Sequence, residues 1–112
     1  MEAIAKIRNL RGSARKARLV LDLIRGKSVP EAQRILAFSK KRMAGNIAKL
    51  LNSAIANATV AEGKVDIDNM IVDNAFSDDG PIMKRYRMRA QGRPNVIRRR
   101  TCHITVGIAD KA

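Results

Sequence analysis

The chain has 112 residues, with 23 Lys plus Arg against 10 Asp plus Glu and a formal net charge of +13. That length suits one domain with a modest core, and the 46% hydrophobic content argues against wholesale disorder. Aromatics make up only 3%, without Trp, which argues against a protein that holds nucleic acid mainly by stacking bases on rings and leaves positive charge to do most of the binding.

Residues 2 to 10 roughly alternate, with Ala3, Ala5 and Ile7 on one side and Glu2, Lys6 and Arg8 on the other, so they read as a half-buried strand that only Ile4 interrupts. Gly12 ends it and Ser13 is placed to cap a helix. Ala17, Val20, Leu21 and Ile24 then fall at i, i+3, i+4 and i+7, and Gly26 stands where a C-terminal cap is expected. Ser28-Val29-Pro30-Glu31 has the spacing of a capping box opening a second helix to about Phe38. Ser39 is the expected cap of a third helix, whose stripe is Ala44, Ile47, Ala48, Leu51, Ile55 and Ala58 and which Gly63 closes near residue 62.

Val65 to Phe76 reads as a strand with a bulge near Asn69, because Val65 and Ile67 are out of phase with Met70 and Val72. Thr101 to Ile108 alternates cleanly, with Cys102, Ile104, Val106 and Ile108 on one side. Between these strands, Ser77 to Arg100 carries turn signals at Asp79-Gly80-Pro81 and Gln91-Gly92-Arg93-Pro94. A connection so long is either disordered or functional. Folded back at Gly92, its arms would reach roughly 40 Å at about 3.3 Å per residue. The expected architecture is α+β: a small three-stranded antiparallel sheet packed on three helices, in one domain spanning 1–112, with a long protruding basic β-hairpin at 77–100.

Charge is distributed unevenly along this plan. Residues 1–61 carry +10, residues 62–80 carry −5, and residues 81–112 carry +8, without an acid from Pro81 through Ala109. A segment that repels itself this strongly calls for an anionic partner. The finger holds Lys84, Arg85, Arg87, Arg89, Arg93, Arg98, Arg99 and Arg100. This arginine preference suits bidentate phosphate contacts and base stacking in structured nucleic acid better than a membrane surface. The interspersed Ile82, Met83, Tyr86, Met88, Val96 and Ile97 would be sheltered by folded RNA. Arg11, Arg15, Lys16 and Arg18 gather at the start of the first helix, where free N–H groups would also hold a phosphate, and Lys40, Lys41 and Arg42 repeat the arrangement before the third.

Catalytic and metal chemistry have few candidates. Cys102 and His103 are adjacent in a strand and point to opposite faces, so they cannot form a dyad; Cys102 reads as a core hydrophobe and His103 as a surface donor. Gly26-Lys27-Ser28 imitates the end of a phosphate-binding loop, but Leu21 stands where its first glycine belongs. Asp66, Asp68, Asp78 and Asp79 could hold a divalent ion, against the alternative of a solvated strand face and turn aspartates. Neither a metal nor a cofactor is expected. The single cysteine cannot form an internal disulfide, Lys6 and Arg8 break the first apolar stretch, and no run approaches the roughly 20 apolar residues of a membrane span. These features fit an intracellular protein. On charge alone a general architectural nucleic-acid binder is an alternative, although coating a duplex needs no long probe; an enzyme cleaving nucleic acid through the aspartates would need a metal-ligand constellation that is missing.

Six motifs, in order and across almost the whole chain, carry a resemblance. They are Ser13-Ala14-Arg15-Lys16-Ala17-Arg18-Leu19-Val20 continuing through Leu23-Ile24-Arg25-Gly26-Lys27, Ser53-Ala54-Ile55-Ala56-Asn57-Ala58, Asp79-Gly80-Pro81, Met83-Lys84-Arg85, Arg89-Ala90-Gln91-Gly92-Arg93 and Arg100-Thr101-Cys102-His103-Ile104-Thr105. Together they resemble the bacterial L-twenty-two family of large-subunit ribosomal proteins. The resemblance implies a structural, non-enzymatic protein of the cytoplasmic large subunit that binds its RNA, supports assembly and threads its hairpin to the nascent-peptide exit tunnel. Its implied partners are large-subunit ribosomal RNA, neighbouring ribosomal proteins and the nascent polypeptide, without a membrane or a second copy of the chain. The expected RNA contacts are Arg8, Arg11, Arg15, Lys16, Arg18, Arg25, Lys27, Lys84, Arg85, Arg87, Arg89, Arg93, Arg98, Arg99, Arg100 and His103. By the same resemblance, Met83, Lys84 and Arg85 lie near the region associated with macrolides, and Arg89, Ala90, Gln91, Gly92 and Arg93 form the tip at the constriction. The chain departs from the family pattern at Ala14 and Met88, where Pro is usual, at Pro94 for Ala, at Cys102 for Ser, and at Gln91, where Lys or Arg is common.

Overall fold

The computed structural model describes residues 2–63, 66–89 and 92–110. The elements run β1 (Glu2–Arg11), α1 (Ala14–Ile24), α2 (Val29–Phe38), α3 (Arg42–Glu62), a 3-10 turn (Ile67–Asn69), β2 (Met70–Asp79), β3 (Met83–Arg89), β4 (Arg93–Arg99) and β5 (Thr101–Asp110). β5 lies between β1 and β2 in an antiparallel three-stranded sheet, while β3 and β4 form a separate two-stranded ladder. This is the α+β plan expected from the sequence.

The alternation of β5 explains its central position. Cys102, Ile104, Val106 and Ile108 are fully buried, and they join Val20, Leu21 and Ile24 of α1 and Ile47, Leu51 and Ala54 of α3 in one core cluster. Each large aliphatic side chain removed from water contributes about 1.5–3 kcal/mol. Ser13 caps α1 as expected, its hydroxyl accepting from Lys16 N–H at 3.2 Å. Ile4, the residue out of phase in β1, is 46% exposed on the opposite side of the sheet.

Several boundaries differ from the sequence expectation. The bulge of β2 falls between Val72 and Asn74, so the buried positions shift from Met70 and Val72 to Ala75 and Ser77. Residues 67–69 form the 3-10 turn instead of strand, and Val65 lies outside the described residues. α3 begins at Arg42 with Lys41 as its cap; the Ser39 N–H closes α2 at the Leu36 carbonyl, and the Ser39 hydroxyl accepts from the Lys41 N–H at 3.3 Å, just before the helix. Ser28 occupies the cap position of α2 without a side-chain cap bond, and bridges Ile71 of β2 instead. The 77–100 hairpin has its ladder at 83–99, and residues 77–79 pair with Ile104, His103 and Cys102 in the body sheet.

The outer edge of β2 is closed by the chain around the end of α1. Gly26 N–H donates to the Val72 carbonyl at 2.9 Å, and Val72 N–H donates to the Lys27 carbonyl at 2.9 Å. Further along, Arg25 donates through Nε at 3.0 Å, and also through Nη2, to the Ala75 carbonyl. Arg18 donates through Nε at 3.1 Å and Nη2 at 2.8 Å to the Ser77 carbonyl. Carbonyls that would otherwise offer a template for strand addition are satisfied by two guanidinium forks.

The radius of gyration is 17.1 Å and the principal extents are 62 × 26 × 17 Å. A compact chain of this length would have a radius near 13 Å. The difference reflects the finger, whose base is tied to the body by Gly12 N–H to the Arg100 carbonyl at 3.0 Å, Gly80 N–H to the Thr101 carbonyl at 2.9 Å and Thr101 Oγ1–H to the Pro81 carbonyl at 2.6 Å. Gly80 is required here by close approach, since a Cβ would stand 2.5 Å from Thr101 Oγ1.

Candidate nucleic-acid interface

Four elements meet at the finger base. The end of β1 brings Arg11, α1 brings Lys16, the start of α3 brings Arg42, and the β4–β5 junction brings Arg98, Arg99 and Arg100 around a groove of about 360 Å³. A neighbouring groove of about 350 Å³ shares Arg11, Lys16 and Arg42 and adds Lys41, Leu19 and Met43. Neither α1 nor α3 has an acid in its first turn, and the Lys41 cap of α3 makes no side-chain hydrogen bond. Two positive helix ends therefore add to the cations, and an anion in the groove relieves their mutual repulsion.

The finger presents a second positive surface, sorted by its register. Lys84 pairs with Arg98, Tyr86 with Val96 and Met88 with Pro94; between them, Met83 pairs with Arg99, Arg85 with Ile97 and Arg87 with Asn95. Directly paired residues share a face and successive pairs alternate. Arg85, Arg87 and Arg99 thus occupy one face with Met83 and Ile97, and Tyr86, Met88 and Val96 the other with Lys84 and Arg98. An isolated hairpin is marginal in water, and like charges directly opposite weaken it further. Arg89 and Arg93 pair next to the turn, where Gly92 has φ +71°; Ala90 and Gln91 lie outside the described residues.

The remaining sequence-expected contacts divide into distinct groups. Arg11, Lys16, Arg98, Arg99 and Arg100 come together in the base groove. Arg15 is exposed on α1, and Lys27 is exposed after it. Arg18 and Arg25 are exposed as well but bind β2 through their forks, Arg25 also pairing with Asp22 at 2.6 Å. Arg8 and His103 share a groove of about 580 Å³ on the outer sheet face with Lys6, Phe76 and Asp78. There His103 Nδ1 accepts from the Asn9 N–H at 3.1 Å. Asn9, at φ +56°, owes that position to the β1 bulge. Arg42 and Lys41 were signalled by the basic triplet before α3, but their convergence with the finger base is tertiary.

Asp66 accepts from the Asp68 N–H at 3.2 Å and from Asn69 Nδ2 at 2.6 Å, organising the 3-10 turn. Among the described residues there is no group of three or more His, Cys, Asp or Glu suited to a metal ion. Burial pushes the Cys102 thiol above its ordinary pKa, with the Ser77 hydroxyl acting against that shift and the Asp79 charge with it. Cys102 is therefore a protonated core residue.

A family model described as Ribosomal protein L22p/L17e matches residues 5–109, which takes in the three helices, the finger and all of the sheet except the start of β1 and the last residue of β5. The chain belongs to this family of cytoplasmic large-subunit ribosomal proteins, structural components that bind ribosomal RNA and neighbouring ribosomal proteins.

Proposed function

We propose that the body seats on folded large-subunit RNA through the base groove while the 77–100 finger threads between RNA segments to the wall of the nascent-peptide exit tunnel. In this reading the chain is one functional domain that acts as a single copy, without catalysis, and stabilises the RNA fold during subunit assembly. Arg89, Ala90, Gln91, Gly92 and Arg93 form the tip beside the nascent polypeptide, and Met83, Lys84 and Arg85 lie further back along the wall. The observation that carries this reading is the finger itself: a projecting two-stranded ladder without an acid along its length and with Lys84 set directly opposite Arg98. Surrounding phosphate supplies the counter-charge that the protein lacks.

The test is a photo-crosslinking side chain at position 91 in ribosomes stalled on a radiolabelled nascent chain. Crosslinks to the nascent polypeptide are expected. Crosslinks confined to RNA would contradict tunnel lining while leaving RNA binding intact.

A further inference from the structure

The face of the finger that carries Arg85, Arg87 and Arg99 suits phosphate alone, whereas the opposite face sets apolar side chains beside a pair of cations. Tyr86 is 73% exposed, Met88 67% and Val96 51%, so three large apolar side chains stand in water on a segment that has no core. One register step towards the body, on the same face, Lys84 stands directly opposite Arg98. The apolar exposure and the like-charge pair are both unfavourable in the free protein, and one ligand chemistry relieves both.

We propose that this face is a single-nucleotide site, in which an unpaired RNA base stacks on the Tyr86–Val96 pair and its phosphate lies between Lys84 and Arg98. Same-face positions along a strand are about 6.6 Å apart, short enough for one nucleotide to cover both pairs. The tyrosine ring offers a π-face that accepts any base, and the paired cations fix the phosphate, which is how single strands are held without sequence readout. Met88 extends the platform towards the tip: its Cε lies 3.8 Å from where a Cβ on Gly92 would stand. The cationic pair favours a nucleotide over an apolar peptide segment as the occupant. This assignment rests on the RNA binding of the family and not on the tunnel reading.

Tyr86 is the chain's one tyrosine and there is no tryptophan, so tyrosine fluorescence of the full chain reports on this site alone. The protein is titrated with a single-stranded adenine hexanucleotide and, separately, with inorganic polyphosphate of matched charge, while binding is followed independently by calorimetry. The hexanucleotide is expected to quench the fluorescence by more than half at saturation, and polyphosphate to bind without quenching. Tyr86→Ala is expected to weaken hexanucleotide binding roughly 5- to 150-fold, the range for loss of one stacked base, and Tyr86→Phe to restore most of it. Lys84→Ala or Arg98→Ala should reduce the salt dependence of log Kd against log[salt] by about 0.7 each. Saturable hexanucleotide binding without quenching, equal quenching by polyphosphate, or wild-type affinity in Tyr86→Ala would each overturn the site while leaving family-level RNA binding in place. Failure of the hexanucleotide to bind would also overturn it, and retained binding to intact large-subunit RNA would show that the broader reading survives.

Discussion

The body and the finger of this protein are stabilised by opposite means. In the body, side chains from α1, α3 and β5 close around one another without solvent, and even the free edge of β2 is satisfied from within by Arg18 and Arg25. In the finger, the described ladder buries little, sets Lys84 against Arg98 and leaves Tyr86 and Met88 mostly exposed. The body's structure is thus determined by its own contacts, whereas the finger's depends on what surrounds it. The same residue type also changes role across the boundary: Arg18 and Arg25 complete a sheet edge in the body, whereas Arg85, Arg87 and Arg98 stand exposed on the finger.

The largest effect that would break this contrast is in the core. Leu51→Ala or Ile104→Ala, at fully buried positions, should cost about 2–5 kcal/mol in denaturant unfolding, whereas Tyr86→Ala should change stability by no more than about 0.5 kcal/mol. Comparable losses at both places would mean that the finger shares the body's core. Replacing residues 84–96 by a short Gly-Ser turn comes next. It removes Lys84, Arg85, Arg87, Arg89 and Arg93, so the salt slope of RNA binding should fall by up to about 3.5 if each of these cations meets a phosphate, while the body's unfolding midpoint stays near that of the full chain.

A smaller effect separates the two uses of arginine. Arg25→Ala should lower stability by about 1 kcal/mol, because the Ala75 carbonyl loses its donor at a partly exposed edge. Arg99→Ala should leave stability unchanged and weaken RNA binding. The reverse pattern would show that Arg25 serves the ligand and Arg99 the fold. The smallest effect concerns pH. The folded state favours the protonated Cys102 thiol, so the stability it contributes is present below its ordinary pKa of 9.0 and is lost as pH rises through the higher folded-state value. Cys102→Ser should flatten the alkaline decline in a denaturation series measured from pH 8 upwards, and an identical decline in both proteins would exclude this residue as its source.

How much of this was legible in the sequence follows the range of the interactions involved. The apolar stripe of α1 and its Ser13 cap are local patterns, and the structure reproduces them; β5 buries Cys102, Ile104, Val106 and Ile108 as expected but also Thr101, Thr105 and Gly107, since a central strand is covered on both faces. The finger was visible because charge and turn residues are also local signals. The β2 bulge lies beyond Asn69, where the phase of the sequence puts it, because it is set by pairing with β5, where Val72 and Asn74 face consecutive residues Ile108 and Gly107. The base groove was only half visible, since Lys41 and Arg42 join Arg11 and Arg98–Arg100 solely through the tertiary fold. Nothing local distinguishes Arg18 and Arg25 from Arg15; their carbonyl partners lie 59 and 50 residues away.

Amide hydrogen exchange, compared between the free protein and the protein within the large subunit, tests most directly whether the finger is ordered by RNA. Slow exchange is expected for β5 and α3 in both states, and for Met83–Arg89 and Arg93–Arg99 fast exchange in the free protein that becomes slow in the subunit. Equal protection of those two strands and β5 in the free protein would contradict it.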